Sequence, residues 1–398
     1  MTKERVSSSP QTAADNGRSD FLDPGSADEM VAIRVDRART ELRHGRPIVL
    51  IRAEGEDAPA GSELLMAASV ETLSPSRIRS LGHNGPQLRL LLTAERIAAL
   101  KLPPADGPMS YRVPRGVTVE QLQFLAGAAN GEADLTLPSD PRPATPTMLA
   151  ALLLIKRAQL TPSLLVTEMP ASELPRLQDE QVLRLPAQDA VRMGVTRAAM
   201  LRRISDAHVP TAACENTTLV LFREIEGDAE HVAIIVGEPD KTQPVPVRLH
   251  SSCLTGDLLG SLRCDCGDQL RGAIDRLAET GGVLLYLSQE GRGTGLASKL
   301  RAYRLQDSGL DTLQADRYLG FRDDERDFSL AGAMLKALSI ERVNLLTNNP
   351  RKIDALRKAG IDVAERTPLL APLNSHNERY VRTKHQFAGH LGREDEQA

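Results

Sequence analysis

Three of the chain's four cysteines lie in one stretch, RLHSSCLTGDLLGSLRCDCGDQ: Cys253, then ten residues, then Cys264 and Cys266 with one residue between them. Thiolates hold zinc best when several converge, and a C-x-C turn lets alternate side chains point the same way. Three protein ligands with one open position describe a catalytic zinc, which carries water and makes it hydroxide-like near neutral pH. A fourth ligand would close the site and make it structural; His250, just before Cys253, and Cys214, farther upstream, are the residues to consider. Three buried thiols without metal are the remaining reading. Spacing alone leaves these open, because structural knuckles ordinarily use paired x-x spacers.

Three later segments have residues suited to anion binding, each with a plain structural alternative. GVLLYLSQ runs into EGRGTGLASKL, a strand, a glycine-rich turn and a helix start whose backbone N–H groups can face phosphate oxygens. The spacing before a Lys-Ser/Thr pair is not that of a Walker loop, and a merely tight turn is the plain alternative. Arg292 and Lys299 add cations suited to a polyphosphate. DDERDFSL (323–330) reads either as a charged site or as a solvated helix start. In LLTNNPRK, Thr347, Asn348 and Asn349 precede a proline at a helix's first turn, so this is an anion site near Lys352 or an ordinary N-cap.

These segments need a scaffold, and the chain is long enough to supply one. At 398 residues with 41% apolar composition, two or three domains with real cores are expected. A net charge of −4, no tryptophan and 3% aromatics speak against a dedicated nucleic-acid partner. No apolar run approaches membrane-spanning length, and the polar N-terminus lacks a signal-peptide core, so a cytoplasmic enzyme is the expectation. Helical and strand periodicities alternate throughout, which gives a mixed α/β fold in two domains. The expected divisions are a disordered tail over 1–27, a first domain over 28–205 closed by a helix around Arg192 to Ile204, a linker over 206–217, a second domain over 218–392 and a tail over 393–398.

From about residue 205 to 392 the chain resembles GTP cyclohydrolase II, with RLHSSCLTGD, SLRCDCGDQL, QEGRGTGL, RAYRLQD, DERDF and LLTNNPRK in that family's order and spacing. The resemblance implies a mixed sheet flanked by helices and an enzyme of the first step of riboflavin biosynthesis. Such enzymes open the imidazole ring of GTP, release C8 as formate and release pyrophosphate. It implies one Zn2+ on Cys253, Cys264 and Cys266, and Mg2+ with the GTP phosphates. Arg326 matches the family's nucleophile at the α-phosphate, which could instead be a charge clamp; Asp324 matches its proton acceptor, and Tyr303 a residue near the ring-opening chemistry. The implied GTP contacts are Arg248, Leu249, His250, Ser251 and Ser252; Gln269; Glu290, Gly291 and Arg292; and Thr312, Thr347 and Lys352. Gln269 and Glu290 are candidates for reading guanine. Ser252 stands where relatives often carry Glu, and Thr294 where an apolar residue is common. A homodimer is expected on base rates. The rival readings are a zinc-stabilised nucleotide-binding protein without turnover and an enzyme that stops at a formylated intermediate.

The first half resembles 3,4-dihydroxy-2-butanone 4-phosphate synthase in ELRHGRPIVLIR, ELLMAASVETLSP and ALLLIKRAQLTPSLLVTEM. It departs at the metal-binding motifs. Where that family has an acidic run, this chain reads GEDAPAGSELLMA, keeping Glu56 and Asp57; where the family has Gly-His-Thr-Glu, it reads PRPATPTMLAA, without histidine. Magnesium needs several hard oxygen ligands. The resemblance therefore implies a catalytically inactive domain kept for scaffolding, dimerisation or regulation, with a bifunctional enzyme as the rival.

Overall fold

The computed structural model describes residues 27–52, 55, 63–78, 88–114, 116–129, 139–196, 198, 201–224, 229–369, 372, 374–378 and 382. The expected tails and the pair Glu56 and Asp57 lie outside the described residues.

The first sheet contains β1 (Ile48–Ile51), β2 (Leu64–Ser69), β3 (Arg89–Leu92), β4 (Met109–Arg112), β5 (Ser139–Pro143), β6 (Leu164–Met169) and β7 (Leu183–Pro186). Their order is β5-β4-β3-β6-β2-β1-β7, antiparallel except for the β1–β7 pair. Both faces are covered, so the strands read as apolar runs whose neighbours go to opposite sides. Leu91 packs with Val35, Leu42 and Leu154 from the helices Ala27–Arg43 and Pro146–Arg157. Leu90 and Leu92 face Ile97 and Leu122 on the other side. Thr145 caps the helix Pro146–Arg157 by accepting from Met148 N, with proline in its first turn.

The second sheet contains β8 (Leu201–His208), β9 (Thr217–Glu224), β10 (Glu230–Val236), β11 (Val245–Ser251), β12 (Gly282–Leu287), β13 (Arg342–Leu346) and β14 (Asp362–Thr367). Their order is β14-β13-β11-β12-β10-β9-β8; the first four are parallel, and β10, β9 and β8 continue antiparallel. The helix Cys266–Thr280 joins β11 to β12 on one face, where Ala273 and Leu277 meet Leu284. Helices Ser329–Ala337 and Pro350–Lys358 cover the other face through Met334, Leu335 and Leu356. The chain leaves β11 for β12, then returns past β11 to β13. The strand order therefore reverses between β11 and β13, and it is at the carboxyl ends of strands at such a reversal that open parallel sheets bind ligands.

Two expectations are corrected. The helix expected around Arg192 to Ile204 runs Ala187–Thr196, and Leu201–His208 is a strand hydrogen-bonded to β9. Its sequence, LRRISDAH, sets its apolar residues three apart instead of in alternation, and the strand is an almost wholly exposed edge. The stretch 206–217, expected to link the domains, instead lies within the second sheet, between β8 and β9. The chain passes from one sheet to the other between residues 196 and 201.

Candidate active site

The three cysteines are brought together at the end of β11. Their sulfur atoms lie within 4.8 Å of one another, with Cys253 Sγ 3.7 Å from Cys264 Sγ. Cys253 follows β11 and opens a single π-helical turn, Leu254–Leu258; Cys266 begins the helix Cys266–Thr280. The approach requires two glycines. A Cβ on Gly256 would lie 3.0 Å from both Cys253 Sγ and Cys264 Sγ, and one on Gly267 would meet the Gly256 carbonyl oxygen at 2.2 Å. Asp257 locks the turn by accepting from Cys253 N at 2.9 Å and from the Tyr286 hydroxyl at 2.9 Å.

Neither possible fourth ligand joins the cluster. His250 Nε2 sits 3.0 Å from Asp257 Oδ1, and its ring stacks on Tyr286; Cys214 packs in a separate apolar cluster with its sulfur directed to Asn216 O. Of the readings left open by spacing, three convergent thiols remain. Their titration is already biased: hydrogen bonds from Cys264 and Cys266, together with the Lys299 ammonium, hold Cys253 far below the usual thiol range. Cys264, bonded to that thiolate, is pushed up to about 11. A soft, anionic donor set with restricted geometry suits zinc.

Lys299, expected to serve a polyphosphate, is committed elsewhere. Its Nζ donates to Cys253 Sγ at 3.1 Å, Thr255 Oγ1 at 3.0 Å and Glu290 Oε1 at 2.6 Å. Burial works against its charge, but Glu290 and Cys253 outweigh it and raise its pKa. Glu290 uses its other oxygen to accept from Leu254 N at 2.7 Å. Tyr303, one turn after Lys299, brings its hydroxyl to 3.3 Å from Thr255 Oγ1.

The cysteines line a cavity of about 90 Å³ together with Ser251, Ser252, Gln289, Glu290, Gly291, Arg292, Lys299, Tyr303, Thr312, Asp316 and Arg326. Arg326 forms a two-pronged pair with Asp324, Nε to Oδ1 at 2.8 Å and a terminal nitrogen to Oδ2 at 2.7 Å. Burial raises the Asp324 pKa, but Arg326 overcomes this and holds the carboxyl below its usual range. DERDF is thus a partly buried ion-paired loop, and the helix starts only at Ser329.

Other predicted residues stand behind the cavity. Arg248, 5% exposed, donates to Leu346 O and to Gln269 Oε1, while Gln269 donates to Asp265. Burial lowers the Arg248 pKa to about 10. Leu249 faces the core, and its carbonyl accepts from the buried Lys352 at 2.6 Å. Thr347 Oγ1 accepts from Asn349 N, and Asn349 caps its helix by accepting from Arg351 N; the local N-cap reading of TNNP holds. The glycine-rich loop also differs from expectation. The N–H groups of Gly293, Thr294 and Gly295 donate within the loop, to Gln289, Gly291 and Glu290 carbonyls. Left-handed φ of +63°, +61° and +90° at Gly291, Arg292 and Gly293 lets it pack on the DERDF backbone, where a Gly293 Cβ would lie 2.9 Å from Glu325 C.

A family model for GTP cyclohydrolase II matches residues 202–368. A GTP cyclohydrolase-2 of Azospirillum brasilense is 40% identical over 373 residues, 92% of this chain and 95% of that protein. The chain belongs to the GTP cyclohydrolase II family. A Xylella fastidiosa (strain 9a5c) GTP cyclohydrolase-2 is 39% identical over 362 residues, 90% of this chain and 87% of its own. Shorter members also match: one from Escherichia coli O9:H4 is 49% identical over 192 residues, which is 48% of this chain but 97% of that protein. A solved two-domain 3,4-dihydroxy-2-butanone 4-phosphate synthase from A. baumannii covers 85% of this chain and all of its own at 18% identity, but its TM-score of 0.33 carries no inference.

Three residues of this GTP cyclohydrolase II chain escaped the sequence reading. Asp257 organises the cysteine turn, and its only signal was membership of LTGD. Gln289 is buried with Nε2 on Asp327 O and no partner for Oε1 among the described residues. Asp316 is a cavity carboxyl, 3.7 Å from Arg292, that burial pushes up to about 7. Nothing in the local sequence DTLQADRY marks this helix carboxyl as facing a cavity.

Proposed function

We propose that the chain is a GTP cyclohydrolase II that hydrolyses GTP to formate, pyrophosphate and a diaminopyrimidinone ribonucleotide, in the first step of riboflavin biosynthesis. The observation that carries this reading is one cavity shared by three convergent thiols, Tyr303 and Arg326. Zn2+ on Cys253, Cys264 and Cys266 would supply Lewis-acid activation of water for attack at C8 of the purine.

The chain's own residues do the remaining work. Lys299 stabilises the thiolate charge and is itself neutralised by Glu290. Tyr303, with burial raising its pKa, keeps its proton and can orient water or the opened ring through its hydroxyl. Ser251, Ser252, Glu290, Gly291, Arg292 and Thr312 form the part of the GTP-contact set that reaches the cavity. Arg248, Leu249, His250, Gln269, Thr347 and Lys352 complete the proposed set from behind it. Two buried polar atoms in the cavity wall, Ser251 Oγ and Gln289 Oε1, have no partner among the described residues and suit a polar ligand. Arg326, assisted by Asp324, would act at the α-phosphate, and Mg2+ bound to the phosphates would offset part of their charge. A carboxylate with a lowered pKa is a poor base for a guanidinium, so the pair favours charge stabilisation of departing pyrophosphate over covalent attack.

The test is to incubate the protein with GTP and Mg2+ and identify the products, beside Cys264→Ser. The wild type should release formate and pyrophosphate with one zinc per chain; the variant should release no formate and hold much less zinc. Full zinc and normal formate output in Cys264→Ser would overturn the assignment.

A further inference from the structure

The first domain grips the catalytic segment of the second. Between Gly295 and Arg326 run the helices and loop that carry Lys299, Tyr303, Thr312 and Arg326, and the first domain touches this segment at four places. A Cβ on Gly295 would meet Gln159 Cβ at 3.0 Å. Arg301 donates to Glu71 at 2.9 Å, and Glu71 also accepts from Thr161. The fully buried Arg96 donates to Tyr318 O at 2.6 Å, while Thr93 donates to Gly320 O at 2.8 Å. Finally, Lys156 Nζ donates to Glu325 Oε1 at 2.6 Å, across the boundary between the two domains.

The last contact reaches the reacting loop. Glu325 sits between Asp324 and Arg326, and its side chain is only 7% exposed. Its carboxylate also accepts from Arg322 N at 3.0 Å and from the Arg322 guanidinium at 2.6 Å, so residues 322–325 are folded around it. Its backbone N donates to Arg292 O at 3.1 Å, tying the loop to the glycine-rich turn. Burial raises the carboxyl pKa, but Arg322 and Lys156 outweigh it and hold the group at about 2. Arg322 is 65% exposed at its side chain, whereas Lys156 is 19% exposed; solvent competes with Arg322 far more than with Lys156.

We propose that Lys156 is a positioning residue for the cyclohydrolase reaction: through Glu325 the first domain holds Asp324 and Arg326 where the α-phosphate must lie. The proposal rests on the cyclohydrolase reading for its kinetic consequence. It gives the first domain a task that needs none of the metal chemistry of the synthase family it resembles. Members of about half this length must hold the same loop by other means.

The experiment compares Lys156→Met, Lys156→Arg, Glu325→Gln and the double variant Lys156→Met/Glu325→Gln in the full chain. Lys156→Met should lower kcat for pyrophosphate release about ten-fold, because small displacements of a reacting group are costly. KM for GTP and zinc content should stay near wild type. Lys156→Arg, which keeps the charge, should recover most of kcat. The double variant should be no worse than the poorer single variant. A kcat for Lys156→Met within two-fold of wild type, failure of arginine to rescue, or losses that multiply in the double variant would each overturn the proposal. Amide exchange over 322–328 supplies a readout independent of turnover, and should quicken in Lys156→Met but not in Lys156→Arg. If the wild type released no formate, the cyclohydrolase reading would fall, and unchanged exchange in Lys156→Met would separately remove the grip on the loop.

Discussion

At the scale of single residues, the site is a set of charges that neutralise one another. Asp324 and Arg326 are paired two-pronged, so Arg326→Ala leaves a buried carboxylate with Arg351 at 3.7 Å as a weaker partner. We expect that variant to lose pyrophosphate release by at least about a hundred-fold, within the range of removing one transition-state donor, while retaining zinc. Arg326→Lys should keep a measurable part if charge is what matters, because lysine preserves charge but not the fork. Pyrophosphate release near wild type from Arg326→Ala would remove this residue from the chemistry. Asp316 gives a second test at this scale. Its folded pKa of about 7 lies above the ordinary aspartate value, so between the two the folded state binds more protons than the unfolded. Stability should therefore fall as pH rises toward 7, by about 1.4 kcal/mol per unit at most. Asp316→Asn removes that loss. Its melting temperature relative to wild type should be higher at pH 8 than at pH 5, and a pH-independent difference would contradict the buried carboxyl.

At the scale of elements, the cysteine centre depends on how closely a π-helical turn and a helix start can approach. Gly267 is the tightest point, its missing Cβ lying 2.2 Å from the Gly256 carbonyl oxygen. Gly267→Ala must push the turn and helix apart, and we expect zinc per chain and formate release to fall together while the remaining fold persists by circular dichroism. Full zinc with normal activity would show that the turn yields freely. This level also marks where sequence reading stopped. The cysteine spacing was visible because three rare side chains cluster in the chain itself. Asp257, Gln289 and Asp316 were not, because their roles depend on which groups the sheet places opposite them. Strand β8 was missed, its first half read as the end of a helix and its last residues as the start of a linker, because an exposed edge strand lacks the alternating apolar face by which strands are recognised. The glycine-rich loop was read for its N–H groups, whereas the fold uses its left-handed backbone for close packing against Glu325.

At the scale of the whole molecule, two seven-stranded sheets both contact the segment from Gly295 to Arg326, and among the described residues it is the second domain that brings three thiols and Arg326 to a common cavity. Three of the described carboxylates of the first domain are engaged in other ways. Asp140, immediately before the stretch that resembles the synthase family's histidine-motif region, is paired with Arg89, Arg112 and Arg142. Glu168 pairs with Arg52, and Glu71 reaches across to Arg301. Divalent magnesium requires several oxygen ligands in octahedral order, and carboxylates already matched by guanidinium groups offer little to a hard cation. The full chain supplied with ribulose 5-phosphate and Mg2+ should therefore form no dihydroxybutanone phosphate, even in a preparation that converts GTP at full rate. Running both assays on one sample separates an inactive domain from a damaged protein. Steady formation of the butanone phosphate would mean that the remaining acidic residues suffice for metal binding, and that the first domain is an enzyme in its own right rather than a support for the second.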